Sequence, residues 1–276
     1  MKKITKAILP NTIRQRPVDS YKGTYGRVVL IGGNRNFGGA IIMASEASVY
    51  SGAGLVTTIT DSANQASLHA RLPEAMVTDF SQHTQITSLI QSANVVVVGP
   101  GLGDDANSIE QLKNVLATVT PSQIVIIDGS AISILASNNW NLPTTNLIFT
   151  PHQMEWQRLS GIKIADQTET ANQQIRNQLN ATVVLKSHRT EIYTETGCFQ
   201  NTLGTPAQAT GGMGDTLAGM IGGFTAQFAD TTNAVQAAVY THSAIAEQLA
   251  RNQYVVLPTQ IIHEIPKFMH ENQASN

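Results

Sequence analysis

The stretch Asn94-Val95-Val96-Val97-Val98-Gly99-Pro100-Gly101-Leu102-Gly103 sets four consecutive valines before a turn of glycines and proline. β-Branched side chains favour extended backbone, and a run without alternating polar residues has no face to give to water. Such a strand belongs in a parallel sheet covered by helices on both sides. Ile124-Val125-Ile126-Ile127 repeats the pattern. Working outward, strands are predicted over 27–32, 55–60, 94–99, 124–128, 146–150 and 182–186. Stretches 190–194 and 198–201 read as a hairpin around Glu195-Thr196-Gly197. Helices are predicted between and after them, over 40–51, 62–71, 107–119, 154–160, 166–179, 216–228, 231–251 and 259–268. The expectation is one α/β domain over residues 1–276, a three-layer sandwich on a mainly parallel sheet. Its core would run from about 22 to 268, and its tail from His270 would be frayed.

Ligands of such sheets gather beyond the carboxyl ends of the strands. Five predicted strands here end in glycine-rich or polar loops: Gly33 to Gly39, Pro100 to Asp105, Asp128-Gly129, Pro151-His152 and Lys186 to Arg189. Neither common nucleotide fingerprint is present. Gly39-Ala40 stands where a P-loop needs Lys-Ser/Thr, and Gly99-x-Gly101-x-Gly103 lacks the Rossmann spacing.

A different cradle remains. Gly211-Gly212-Met213-Gly214-Asp215 runs directly into the apolar, helix-compatible stretch from Thr216 to Phe224. Glycine allows consecutive N–H groups to converge, and a helix start adds unpaired amides and the positive end of its dipole. A phosphate suits that place, but Asp215 would repel it. The conflict resolves if Asp215 takes the proton of a hydroxyl that receives a phosphoryl group. An Asp N-cap after a glycine turn is the plainer alternative.

Composition narrows the class. The chain of 276 residues is 42% hydrophobic and 13% charged, with a formal net charge of −2. That describes a packed core without the basic footprint of a nucleic-acid binder. A single cysteine, Cys198, excludes an intrachain disulfide and a multi-cysteine metal site. The basic N-terminus is too broken for a signal peptide, and no segment approaches the ~20 apolar residues of a membrane span. A cytoplasmic protein without nucleic-acid or membrane partners is expected.

Taken together, the chain resembles the ribokinase-like superfamily, and within it the ADP/ATP-dependent NAD(P)H-hydrate dehydratases. The matching text includes Lys22-Gly23-Thr24-Tyr25-Gly26-Arg27, Ser51-Gly52-Ala53-Gly54, Gly99-Pro100-Gly101-Leu102-Gly103, Thr150-Pro151-His152 with Glu155, and Gly204 through Asp215. It covers roughly residues 22 to 265. The resemblance implies an enzyme that phosphorylates the ring hydroxyl of hydrated NADH or NADPH with ADP (or ATP), after which phosphate leaves and the ring is restored. Asp215 would be the base, and Gly212 and Gly214 would offer amides to the transferred phosphoryl group. Ala40, Gly103 and His152, with Asp215, would line the hydrated-cofactor pocket. Lys186, Ser187, His188, Arg189, Thr190 and Gly214 would border the nucleotide, and Glu155 would help hold Mg2+ through water. A homotetramer is also implied. Two positions depart from the family pattern: Met213 replaces a threonine, and Gln153-Met154 replace Pro-Gly after the histidine.

Several of these residues also have plain structural uses. His152 suits an N-cap for the helix near Met154, and Glu155 suits the first turn of that helix. Asp128 can tie down a loop as readily as touch a ligand. Two other functions use the same text: a kinase of this fold acting on a vitamin precursor or sugar, and a nucleotide-binding regulator without turnover. The intact Asp215 argues against the regulator.

Overall fold

A computed structural model describes residues 1–138 and 140–274, and its strands form one ten-stranded sheet. In chain order the first elements are β1 (Lys2–Ile4), α1 (Ile8–Thr12), β2 (Arg27–Ile31), α2 (Gly38–Tyr50), β3 (Leu55–Thr60), α3 (Gln65–Arg71) and β4 (Met76–Asp79). Next come α4 (His83–Ser92), β5 (Val95–Val98), α5 (Ala106–Thr118), β6 (Ile124–Ile127), α6 (Gly129–Asn138), β7 (Asn146–Phe149) and α7 (Gln153–Ser160). The remainder are α8 (Glu169–Leu179), β8 (Ala181–Leu185), β9 (Glu191–Thr194), β10 (Gly197–Asn201), α9 (Met213–Gln227), α10 (Thr231–Ala250) and α11 (Pro258–Asn272). The strand order is β1-β10-β9-β8-β7-β6-β5-β2-β3-β4, and β9 runs against both of its neighbours.

Alternate residues of the central strands serve opposite layers. Val28, Leu30, Val95 and Val97 pack with α2, α9, α10 and α11, whereas Val29, Ile31, Val96 and Val98 pack with α4, α5 and α6. Both faces are dry, which is why the valine run carries no polar alternation. The register places Ile31 beside Val98, Val98 beside Ile127, and Ile127 beside Phe149. The carboxyl ends of β2, β5, β6 and β7 therefore lie along one edge.

The fold is the expected three-layer sandwich, with particular differences. The strand β4 and helix α4 were not expected, because a short, half-exposed edge strand and a helix anchored mainly by Ile86 and Ile90 carry weak patterns. Helix α6 follows Asp128 at once, where a loop was expected. Residues before 22 belong to the core: Ile4, Leu9 and Ile13 are buried in the same cluster as α9 and α10. The tail expected to be frayed from His270 is ordered through Ala274, residues 275–276 lying outside those described. α11 continues to Asn272, and the Ala274 N–H donates to the Ile13 carbonyl at 2.8 Å.

Helix α9 begins at Met213, three residues earlier than expected, with Gly212 as its N-cap at φ 94°. Only a residue without Cβ adopts that conformation cheaply. α9 is buried along most of its length because glycines on its two sides admit its neighbours. A Cβ at Gly219 would overlap the Ala44 carbonyl of α2, and one at Gly222 would press on Val97 of the sheet.

Candidate active site

The structure strings the implicated residues along one sheet edge in spatial order. Lys186 follows β8, His152 follows β7, Asp128 follows β6, Gly103 lies beyond β5, and Ala40 lies beyond β2. Four inter-strand steps of ~4.8 Å make this row about 19 Å long, enough for an extended dinucleotide. Contacts between loops make it continuous. The Asn34 N–H donates to the Gly101 carbonyl at 2.7 Å, and the Gly103 N–H donates to Oγ of Ser130, the second residue of α6, at 3.1 Å. Ala40 lies against Gly101, where an added Cβ would meet the Ala40 methyl at 2.9 Å.

The middle of the row is charged. The Lys186 ammonium donates to Asp128 Oδ1 at 2.8 Å, and the Thr150 hydroxyl donates to the same oxygen at 2.6 Å. Lys186 Nζ also reaches the cradle, standing 3.0 Å from where a Cβ of Gly214 would be. Burial lowers the lysine's proton affinity, but the carboxylates of Asp128, Glu155 and Asp215 outweigh it and raise the pKa. The ammonium is therefore permanently charged, shared among three acids.

Asp215 is the third residue of α9 and lies inside its first turn, not before the helix as expected. The N–H groups of Met213, Gly214 and Asp215 are thus first-turn amides without intrahelical acceptors. Such amides, with the helix dipole, can receive an anion, the use that the glycine pattern suggested. Burial and then the Asp128 carboxylate push the Asp215 carboxyl up to about 6, against the pull of Lys186. A carboxylate with that proton affinity accepts a proton far better than an ordinary surface Asp while staying ionised near neutral pH.

His152 performs the structural role weighed for it. Its Nδ1 accepts from the N–H groups of Met154 at 3.1 Å and Glu155 at 3.2 Å, capping α7. The proton of the neutral ring is then on Nε2, which lies 3.5 Å from Glu155 Oε1, while the ring as a whole stays half exposed. Capping and ligand contact are therefore compatible. Glu155 completes the box by accepting the His152 N–H at 2.8 Å on Oε2. Gln153-Met154 consequently preserve a defined Glu155 geometry. Burial raises the Glu155 pKa, with Lys186 opposing. Among the described residues no group of three or more His, Cys, Asp or Glu is disposed to hold a metal ion. The donor set fits a hydrated cation that rides on phosphates with Glu155 Oε1 as its anchor, not a cage of protein ligands.

Beside Lys186 opens a cavity of about 410 Å³ whose lining includes Ser187, His188, Thr190 and Gly214. Arg189 does not join them. Its guanidinium donates to the Gly204 carbonyl at 3.4 Å and lies 3.9 Å from Glu247. The nucleotide-segment residues therefore lie on one side of Lys186, and Gly103 and Ala40 on the other, with Asp215 facing the charged centre. Two features were not legible in sequence. The Asp128–Lys186 pair joins residues 58 apart, its only trace being two lone charges at the ends of apolar strands. His242 also lines the cavity, from the middle of an alanine-rich helix that gave no signal.

Comparison with known proteins finds relatives along the whole chain. A family profile described as NAD(P)H-hydrate dehydratase matches residues 28–267. The ADP-dependent (S)-NAD(P)H-hydrate dehydratase of Lactiplantibacillus plantarum is 57% identical over 98% of this chain and 97% of its own length. A crystal structure of a ribokinase-like superfamily protein from Enterococcus faecalis V583 superposes with a TM-score of 0.98 at 51% identity, covering 99% of this chain and 97% of that one. The ADP/ATP-dependent NAD(P)H-hydrate dehydratase of Bacillus subtilis, co-crystallised with ATP/Mg2+, gives a TM-score of 0.88 at 28% identity and 99% coverage of both chains.

Proposed function

This chain belongs to the NAD(P)H-hydrate dehydratase family, and we propose on that premise that it is an ADP-dependent (S)-NAD(P)H-hydrate dehydratase, a nucleotide-driven hydro-lyase. The observation that carries the mechanism is Asp215 in the first turn of α9, beside free amides and facing Lys186. The hydrate lies along Ala40, Gly103 and His152, and the nucleotide lies along Lys186, Ser187, His188 and Thr190. Asp215 takes the proton of the ring hydroxyl as its oxygen attacks the terminal phosphorus of ADP. AMP leaves with the electron pair of the broken P–O bond. The amides of Gly212 and Gly214 and the Lys186 ammonium receive the charge that gathers on the transferred phosphoryl oxygens. Phosphate then departs with the C–O bonding pair, a proton is lost from the neighbouring ring carbon, and the double bond returns.

Hydroxide is a poor leaving group and phosphate a good one, which is the reason a dehydration consumes a nucleotide. Mg2+ bound to the phosphates, with Glu155 as its anchor through water, would neutralise part of their charge. We also read residues 1–276 as one cytoplasmic domain that assembles as a homotetramer, which light scattering on the purified protein tests.

The direct test is hydrated NADH with ADP and Mg2+. NADH absorbance should return with one AMP and one phosphate per turnover. Accumulation of a stable phosphorylated product would assign a kinase instead, and ADP binding without turnover would assign a regulator.

A further inference from the structure

The cavity beside the cradle holds one polar group that the proposed reaction leaves unused. His242 of α10 is 6% exposed and shares the cavity wall with Leu203, Pro206, Ala209 and Leu217. Its two ring nitrogens are distinguishable from their surroundings. The Thr205 N–H can only donate, and it does so to Gln208 Oε1 at 3.3 Å. That orientation turns the Gln208 amide nitrogen toward His242 Nδ1, 3.4 Å away. Nδ1 is thereby the acceptor, and the neutral ring carries its proton on Nε2. Nε2 is buried and has no hydrogen-bond partner among the described residues.

Burial, reinforced by the charge of Lys186, holds the imidazole down at about 4, so the ring is neutral at any pH the cell meets. A buried neutral donor without an acceptor is uncommon in folded proteins and calls for an explanation. The same cavity wall supplies the context. Lys186 and Gly214 serve phosphate, while Leu203, Pro206, Ala209 and Leu217 offer apolar surface suited to a flat heterocycle.

We infer that His242 reads the purine base of the nucleotide, its Nε2–H donating to an acceptor nitrogen of the ring. The inference rests on the nucleotide reading above and adds the group that recognises the base. A neutral imidazole suits a neutral aromatic nitrogen. Around His242 the wall is apolar, with Leu203, Pro206, Ala209 and Leu217, which suits the base, while Lys186 and Gly214 on the same wall suit the phosphates.

Calorimetry with ADP and with its 1-deaza, 3-deaza and 7-deaza analogues tests the assignment, since each analogue lacks one ring acceptor. One analogue should bind the wild-type protein about three- to tenfold more weakly than ADP, the worth of one hydrogen bond. His242→Phe should bind ADP and that analogue equally. His242→Gln, whose amide places an N–H near the Nε2 position, should keep the discrimination. Undiminished discrimination by His242→Phe overturns the proposal, as does a wild-type protein that turns over with ADP yet binds all four ligands alike. If His242→Phe fails to fold, the wild-type series and His242→Gln still decide. A wild-type protein that binds none of the four would instead refute the nucleotide reading on which the proposal stands.

Discussion

Asp215 is held at about 6 because burial and the neighbouring Asp128 carboxylate both disfavour its charge. The folded state therefore binds this proton more tightly than the unfolded chain, whose value is near 3.8. The resulting stabilisation is complete below 3.8 and is lost as pH rises through 6. Asp215→Asn should accordingly raise the melting temperature at pH 7.5 and leave it nearly unchanged at pH 4, as scanning calorimetry would register. The same substitution should cut kcat by ~10²–10⁴-fold, because an amide cannot take the hydroxyl proton. In the wild type, kcat/KM should fall as pH drops below about 6, where the base becomes protonated, and a pH–rate profile checks this. Asp215 stood out in sequence because a carboxylate among glycines suited to phosphate is chemically odd. The residues that set its proton affinity were not recognisable, since Asp128 and Lys186 meet it only through the sheet.

At the scale of elements, α9 carries three glycines in its interior, which local propensity alone would count against a helix. Its packing explains them. Ser48 Oγ donates to the Gly219 carbonyl at 2.8 Å, and a Cβ at Gly223 would stand 2.6 Å from that of Ser51. Gly219→Ala should gain about 1 kcal/mol of helix propensity and lose about 1–3 kcal/mol by forcing α2 away, because the obstructing atom is the Ala44 backbone carbonyl. A net loss should appear as a lower denaturant midpoint at unchanged m-value. Gly211→Ala is the contrast. Nothing lies within 4 Å of a Cβ there, so the unfolding free energy from the same titration should stay within about 0.5 kcal/mol of wild type. Strain at positive φ belongs to Gly212 and not to Gly214, whose neighbour is the movable end of Lys186. Strand and helix types were legible in apolar runs and caps. The start of α9 was not, because the same glycines serve a loop or a first turn until packing chooses.

At the scale of the whole molecule, the chain closes on itself. β1 pairs in parallel with β10, placing Ile4 beside Asn201, and Ile4 is 2% exposed. The Thr202 hydroxyl donates to the Ile4 carbonyl at 2.9 Å. Deleting residues 2–5 should lower the melting temperature by about 3–10 °C, from the lost burial of one isoleucine and an uncovered strand edge. Turnover at moderate temperature should survive, since β1 lies three strands from β8. The amino-acid sequence by itself determined the sandwich class and the set of strand-end and glycine-loop residues, Asp215 among them, that the proposed function draws on, because apolar runs, strand-end glycines and first-turn chemistry are local properties. Only the tertiary structure decided which charges meet. It bound Lys186 to Asp128 across β7, turned Arg189 toward Glu247, and left His242 with an unmatched donor beside the cradle. Register and helix packing set such distances between residues far apart in the chain, and no short stretch of sequence carries that information.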